Sequence, residues 1–190
     1  MRIISGTLRG RRFQAPPGRT TRPTLERARE ALASALDARG YIAGRQVLDL
    51  FAGSGALSYE LLSRGAAYAV MVDQGRQAAR TIQHNRGMLG LTPQSRLLGL
   101  DLLAAPFAVA QRLAHLPEAP FDVVLMDPPY VHAGHMPALL SALLDAEVLK
   151  PSCAVMVEHP SKAPLQLDGR LDAVRVYPFG ETTMLVGWRT

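Results

Sequence analysis

From residue 45 onward, short apolar runs alternate with segments of helical period, and this alternation constrains the fold more than any other feature. Runs at 46–50, 68–72, 96–99, 121–126 and 153–158 read as strands. Helical patterns at 56–64, 75–88, 102–113 and 137–144 separate them. A strand that returns to its sheet through a helix must lie parallel to the one it left, which puts helices on both faces. Two further runs, 171–177 and 183–188, are joined by Pro178-Phe179-Gly180-Glu181 with no helix between them, so an antiparallel hairpin finishes the sheet. The expected class is α/β: a Rossmann-like, mostly parallel sheet with a C-terminal antiparallel hairpin and a small N-terminal hairpin and helix.

Open sheets of this kind carry their chemistry at the C-terminal strand ends. The strand at 46–50 runs into Asp49-Leu50-Phe51-Ala52-Gly53-Ser54-Gly55-Ala56. Glycines at such a turn let backbone N–H groups approach a ligand closely. No Gly-Lys-Ser/Thr follows, which excludes a P-loop. Ser58 stands where a dinucleotide fold needs its third glycine. Ala52 stands where a nucleophile elbow needs its first. The second strand ends on Asp73, twenty residues after Gly53, the spacing at which a carboxylate reaches ribose hydroxyls. The third ends near Asp101, placed to read an adenine amine. Three acids after three successive strands mark one sheet edge.

The fourth strand, Val123-Val124-Leu125-Met126, stops at Asp127-Pro128-Pro129-Tyr130. Two prolines fix φ and remove two donors, so a stiff loop follows the strand. An exocyclic amine on a base is planar and weakly nucleophilic. Asp127 can accept one of its N–H bonds and the Pro128 carbonyl the other, which favours a pyramidal nitrogen. Tyr130 can stack on the base once it has left its helix. A plain strand-end turn uses the same residue types.

Charge is unevenly spread. Residues 1–30 hold eight arginines and two acids, +6, whereas the whole chain is +5. A near-neutral body with a basic N-terminal segment suits an enzyme that docks a polyanion, and arginine favours bidentate phosphate contacts. Ile3, Ile4, Leu8 and Phe13 around Gly6 and Gly10 read as a short hairpin. Thr21 or Thr24 can cap a following helix, whose start gathers Arg22, Arg27 and Arg29 at an anion site. We divide the chain into residues 1–40, a nucleic-acid-docking hairpin and helix, and 41–190, the sheet domain. The chain of 190 residues is 48% hydrophobic and 19% charged, enough for a sizeable core. It shows no apolar window of about 18 residues, no secretory leader and one cysteine, Cys153, so a cytoplasmic protein is expected.

Together these residues resemble class I S-adenosylmethionine-dependent methyltransferases. The resemblance gives the methionine part of the cofactor to Asp49, Phe51, Ala52, Gly53, Ser54 and Gly55, the ribose to Asp73 and the adenine to Asp101. The catalytic set is Asp127, Pro128, Pro129 and Tyr130, as in enzymes that methylate base amines or a glutamine amide. Arg2-Ile3-Ile4-Ser5-Gly6, Arg9-Gly10-Arg11, Thr21-Arg22-Pro23-Thr24 and Arg27-Ala28-Arg29-Glu30 look like the opening of the RsmD family. So do Ser63-Arg64-Gly65-Ala66, Val157-Glu158-His159 and Gly180-Glu181-Thr182. That family methylates a guanine N2 amine of 16S rRNA in the small ribosomal subunit or its assembly intermediate. With RNA as the polyanion, the contacts expected of the basic segment are Arg2, Arg9, Arg11, Arg12, Arg22 and Arg27, and a monomer is expected. Two other readings stay open: a methyltransferase for DNA adenine or protein glutamine, and a non-catalytic RNA-binding assembly factor. His132 and His135 are three apart with no carboxylate or thiol to complete a ligand set, so no metal is expected.

Overall fold

The computed structural model describes residues 1–15 and 23–190. Thr21 and Arg22, expected at the helix cap and the anion site, lie outside the described residues. Seven strands form one sheet: β1 (Gln46–Leu50), β2 (Tyr68–Val72), β3 (Ser95–Leu98), β4 (Phe121–Met126), β5 (Leu149–Pro160), β6 (Ala173–Phe179) and β7 (Thr182–Arg189). Among the described residues one α-helix, α1 (Pro23–Asp37), precedes the sheet and four connect its parallel strands: α2 (Ala56–Ser63), α3 (Arg76–Leu89), α4 (Pro106–Ala114) and α5 (Met136–Asp145). The strand order is β3-β2-β1-β4-β5-β7-β6. All pairs among β1 to β5 are parallel, and β7 is antiparallel to both β5 and β6. The expected sheet and its closing hairpin are therefore present.

The order reverses between β1 and β4, so the chain leaves these neighbours in opposite directions and opens a crevice at their C-terminal ends. Strand alternation divides the core in two. Val47, Ala69, Met71, Val123 and Leu125 pack with Leu61 of α2 and Ile82 of α3. Leu48, Leu50, Val70, Val72, Val124 and Met126 pack on the other face with Val109 of α4 and Leu139 and Leu143 of α5. Because both faces are covered, the central strands are continuous apolar runs.

The expected N-terminal hairpin is present as an antiparallel bridge between Arg2 and Arg12, held by Ile3 N to Arg11 O and Phe13 N to Met1 O at 3.0 Å and Gly10 N to Ile3 O at 2.9 Å. Its remaining backbone groups bond to α2. Ile4 N and Ser5 N donate to the Glu60 carboxylate of α2 at 2.9 and 3.0 Å. Leu8 N donates to Ser63 Oγ at 2.9 Å and Thr7 N to Ser63 O at 2.7 Å. Gly6 makes this approach possible: a Cβ there would lie 1.9 Å from Ser63 O. Ile3, Phe13, Ala28, Leu32 and Leu36 join the same core as α2 and α3. α4 starts at Pro106 rather than 102, because the Asp101 carboxylate accepts from Leu103 N and makes a turn before the proline.

Candidate functional site

A cavity of about 380 Å³ lies at the C-terminal ends of β1, β2, β4 and β5. The loop after β1 forms its floor. Phe51 takes φ 63°, a conformation that non-glycine residues adopt at some expense, and Gly53 and Gly55 follow at φ 58° and 81°. A Cβ on Gly55 would meet the Tyr59 ring at 2.5 Å. The loop is tied from both sides. Ala52 N donates to Val72 O at 3.1 Å, and Asn85 donates to Ser54 O at 3.1 Å. Phe51, Ala52, Gly53 and Ser54 line the cavity, whereas Gly55 sets the turn behind it.

Asp73 lines the cavity and holds the loop. Its carboxylate accepts from Gly53 N at 2.9 Å and Gly75 N at 2.8 Å. A carboxylate has about four acceptor directions, so capacity remains for a diol. Asp101 is placed differently. It is exposed, its carboxylate caps its own turn, and Leu100, Leu102 and Leu103 form the wall at that end. The structure thus brings Asp49, Asp73 and Asp127 to one cavity and leaves Asp101 at its outer rim.

Asp49 is buried beneath the loop. Its Oδ2 accepts from Ser58 Oγ at 2.6 Å and from Ser58 N at 3.3 Å. Its Oδ1 is buried with no partner among the described residues. Burial pushes its carboxyl up to about 7, and the charges of Asp127 and Asp73 add to this against the Ser58 bonds. An ordinary Asp titrates near 3.9, so between roughly pH 4 and 7 the folded chain keeps a proton that the unfolded chain has released. Stability therefore falls as pH rises through that window, by about 4 kcal/mol at most. Asp49→Asn keeps an acceptor for Ser58 and removes the titration. We expect its melting temperature at pH 8 to exceed that of the unaltered chain by several degrees, with no difference at pH 4. An equal change at both values, measured by scanning calorimetry, would contradict the assignment.

The other half of the site follows β4. Asp127 N still bonds Leu50 O at 3.4 Å, so the carboxylate is presented where the sheet ends. Asp127 and Pro129 line the cavity, and Pro128 is buried beside them. The Pro129 carbonyl accepts from His132 N at 2.8 Å and opens a 3-10 turn, Tyr130–His135, that the sequence pattern did not indicate. Tyr130 is about half exposed and shares a hydrogen bond with the Thr182 hydroxyl at the β6–β7 turn. His132 and Glu158 complete this wall. β4 and β5 are in register at Met126 and Val157, so Asp127 and Glu158 are the next pair of positions along adjacent strands. Glu158 is only 8% exposed.

The arginines divide by contact. Arg9, Arg12 and Arg27 are exposed. Arg2 pairs with Glu26 at 3.3 Å, and Arg11 donates to Met88 O at 2.9 Å and Leu89 O at 3.4 Å. Arg29 corrects the expectation of a surface anion site. It is buried, donates to Arg2 O at 2.7 Å and lies 3.7 Å from Glu60, and burial lowers its pKa. Among the described residues no group of His, Cys, Asp and Glu gathers to hold a metal ion. No described helix is long and apolar enough to cross a membrane.

A family model described as Conserved hypothetical protein 95 matches residues 1–188. The chain belongs to this family. Curated relatives include the ribosomal RNA small subunit methyltransferase D of Haemophilus influenzae, 32% identical over 169 residues, covering 87% of this chain and 81% of that protein. The protein of the same name from Escherichia coli K12 is 32% identical over 158 residues, covering 83% and 74%. The solved structure of Escherichia coli yhhF superposes with a TM-score of 0.81 at 28% identity, covering 100% of this chain and 97% of that one. The RsmD-type resemblance read from the N-terminal motifs and the Asp-Pro-Pro-Tyr loop therefore holds. For a Conserved hypothetical protein 95 member, the shared part includes the arm pinned to α2 as well as the sheet.

Proposed function

We propose that the chain transfers a methyl group from S-adenosylmethionine to the N2 amine of a guanine in 16S rRNA of the small ribosomal subunit, acting in the cytoplasm as a monomer. The observation that carries this is the meeting of two carboxylates on adjacent strands, half-buried Asp127 just past β4 and buried Glu158 within β5, with the glycine loop around one cavity. The names of the curated relatives support an rRNA substrate. The paired carboxylates favour guanine, whose N1–H and N2–H groups are adjacent donors, over adenine or cytosine, which present one amine beside a ring-nitrogen lone pair.

The cofactor fits the residues present. Asp49 Oδ1, buried without a partner, suits a cationic group, and Asp73 suits a ribose diol. Leu100, Leu102 and Leu103 suit an apolar ring face. When bound, S-adenosylmethionine supplies a methyl group already activated by its sulfonium. The protein's task is then mostly positioning. Asp127 accepts an N2–H and turns the nitrogen lone pair away from the ring plane. Glu158 accepts N1–H and fixes the purine's register. Tyr130, held by Thr182, offers a ring face against the extruded base. The N2 proton passes to solvent after transfer. Arg9, Arg12 and Arg27 supply phosphate contacts, with residues 1–40 acting as the docking element.

The direct experiment uses labelled S-adenosylmethionine with small subunits that lack the modification, followed by nucleoside analysis of the 16S RNA. N2-methylguanosine at one site is the expected product. Transfer only to DNA or to a protein glutamine would discard the RNA assignment, and no cofactor binding by calorimetry would favour an assembly factor. Asp73→Ala is expected to weaken cofactor affinity by about 30-fold or more, since it removes the diol acceptor and two N–H bonds that hold the loop. Unchanged affinity by titration calorimetry would take Asp73 out of this role.

A further inference from the structure

A second groove, of about 600 Å³, runs along the outer side of α3. It is lined by Gln14, Arg76, Gln77, Arg80, Thr81 and His84. Arg76, Arg80 and His84 are spaced four residues apart, so they form one stripe on the helix. All three are exposed, while Thr81, Ile82, Asn85 and Leu89 carry the buried face. The lining holds two guanidinium groups and an imidazole, no carboxylate and no large apolar side chain. Among the described residues the ion pairs belong to Arg2, Arg29, Arg45, Arg64, Arg96, Lys150 and Arg170. Arg76 and Arg80 have none among the described residues.

The N-terminal arm lies against this helix. Gln14 N donates to Asn85 Oδ1 at 2.9 Å, and Asn85 Nδ2 returns a bond to Gln14 O at 3.0 Å. Arg11 reaches the carbonyls of Met88 and Leu89 at the far end of α3. Arg76 follows Gly75 and Asp73 at the near end, where the cavity opens. Hydrogen-bond donors thus continue from the arm past the His84 imidazole to the Arg80 and Arg76 guanidiniums and the mouth of the site. At 1.5 Å per residue, Arg76 to His84 spans about 12 Å, the reach of several phosphates along one strand. A single small anion needs a compact cluster, and a linear stripe without apolar lining suits a phosphodiester chain.

We propose that Arg76, Arg80 and His84, with Gln14, form a phosphate-backbone track that carries the RNA strand along α3 from the N-terminal arm to the cavity. This rests on the reading of the chain as an rRNA methyltransferase. The test is the double variant Arg76→Glu, Arg80→Glu in the full chain. Binding to 16S RNA or to unmodified subunits is measured over a series of potassium chloride concentrations, beside calorimetry with S-adenosylmethionine. We expect at least a tenfold loss of RNA affinity near 100 mM salt. The slope of log affinity against log salt should flatten by about 1.5 to 2, and cofactor affinity should stay within about twofold. Unchanged affinity and slope, in a preparation whose unaltered enzyme methylates the RNA, would overturn the track alone. So would a loss of cofactor binding with RNA affinity intact, which would move Arg76 into the cofactor site. Failure of the unaltered enzyme to act on RNA at all would instead remove the functional reading beneath it.

Discussion

Replacing Asp127 by alanine is expected to lower methyl transfer by about 1,000-fold or more while cofactor affinity stays within about threefold. Asp127 lines the cavity at the end of β4, whereas the Ser58 and glycine-loop bonds that shape the floor are accepted by Asp49 and Asp73. The guanine N2 lone pair is delocalised into the ring, so attack requires a partly pyramidal nitrogen. A carboxylate that accepts one N–H stabilises the positive charge that develops there as the bond to carbon forms. Alanine leaves the amine planar, and water in its place has no fixed direction. Single-turnover assays with saturating RNA would report the transfer step, and titration calorimetry the cofactor. A parallel fall in cofactor affinity would place Asp127 in the floor of the site instead.

The central strands were legible because they are buried on both faces, so runs such as Val123-Val124-Leu125-Met126 read directly as strands. Asp49, Asp73 and Asp127 were legible for a related reason: polar residues that end buried runs at one sheet edge stand out. Contacts between distant parts of the chain were not. Glu60 and Ser63 are more than fifty residues from the arm they hold, and no local pattern distinguishes a helix acid that caps another segment's N–H groups from a solvated one. Arg29 shows the same limit in reverse, since its place on α1 looked like a surface anion site until Glu60 was found beneath it. Ser58 reads as an imperfect glycine position, yet its hydroxyl is the donor that fixes Asp49. Asp101 had the right spacing from its strand. Its carboxylate accepts from Leu103 N and it stands exposed, outside the cavity lining, and spacing carries no information on side-chain direction.

Glu158 needed the strand order. It closes an apolar run and looks like an ordinary terminal acid until β5 is placed beside β4. Its proposed partner, guanine N1–H, makes a sharper test than loss of activity. 2-Aminopurine keeps the N2 amine and replaces N1–H by a lone pair. With 2-aminopurine at the mapped target position, introduced by splinted ligation, the unaltered enzyme should discriminate against it by at least about 100-fold. The analogue loses a hydrogen bond and faces a buried carboxylate with its own lone pair. In Glu158→Gln the amide can turn its oxygen to guanine N1–H or its NH₂ to the lone pair of 2-aminopurine. The ratio of transfer rates should therefore collapse to within about tenfold, while transfer to guanine falls only modestly. A purely structural role for Glu158 would lower both rates together and leave the ratio where it was. That result would return the choice of base to the shape of the pocket and to Tyr130.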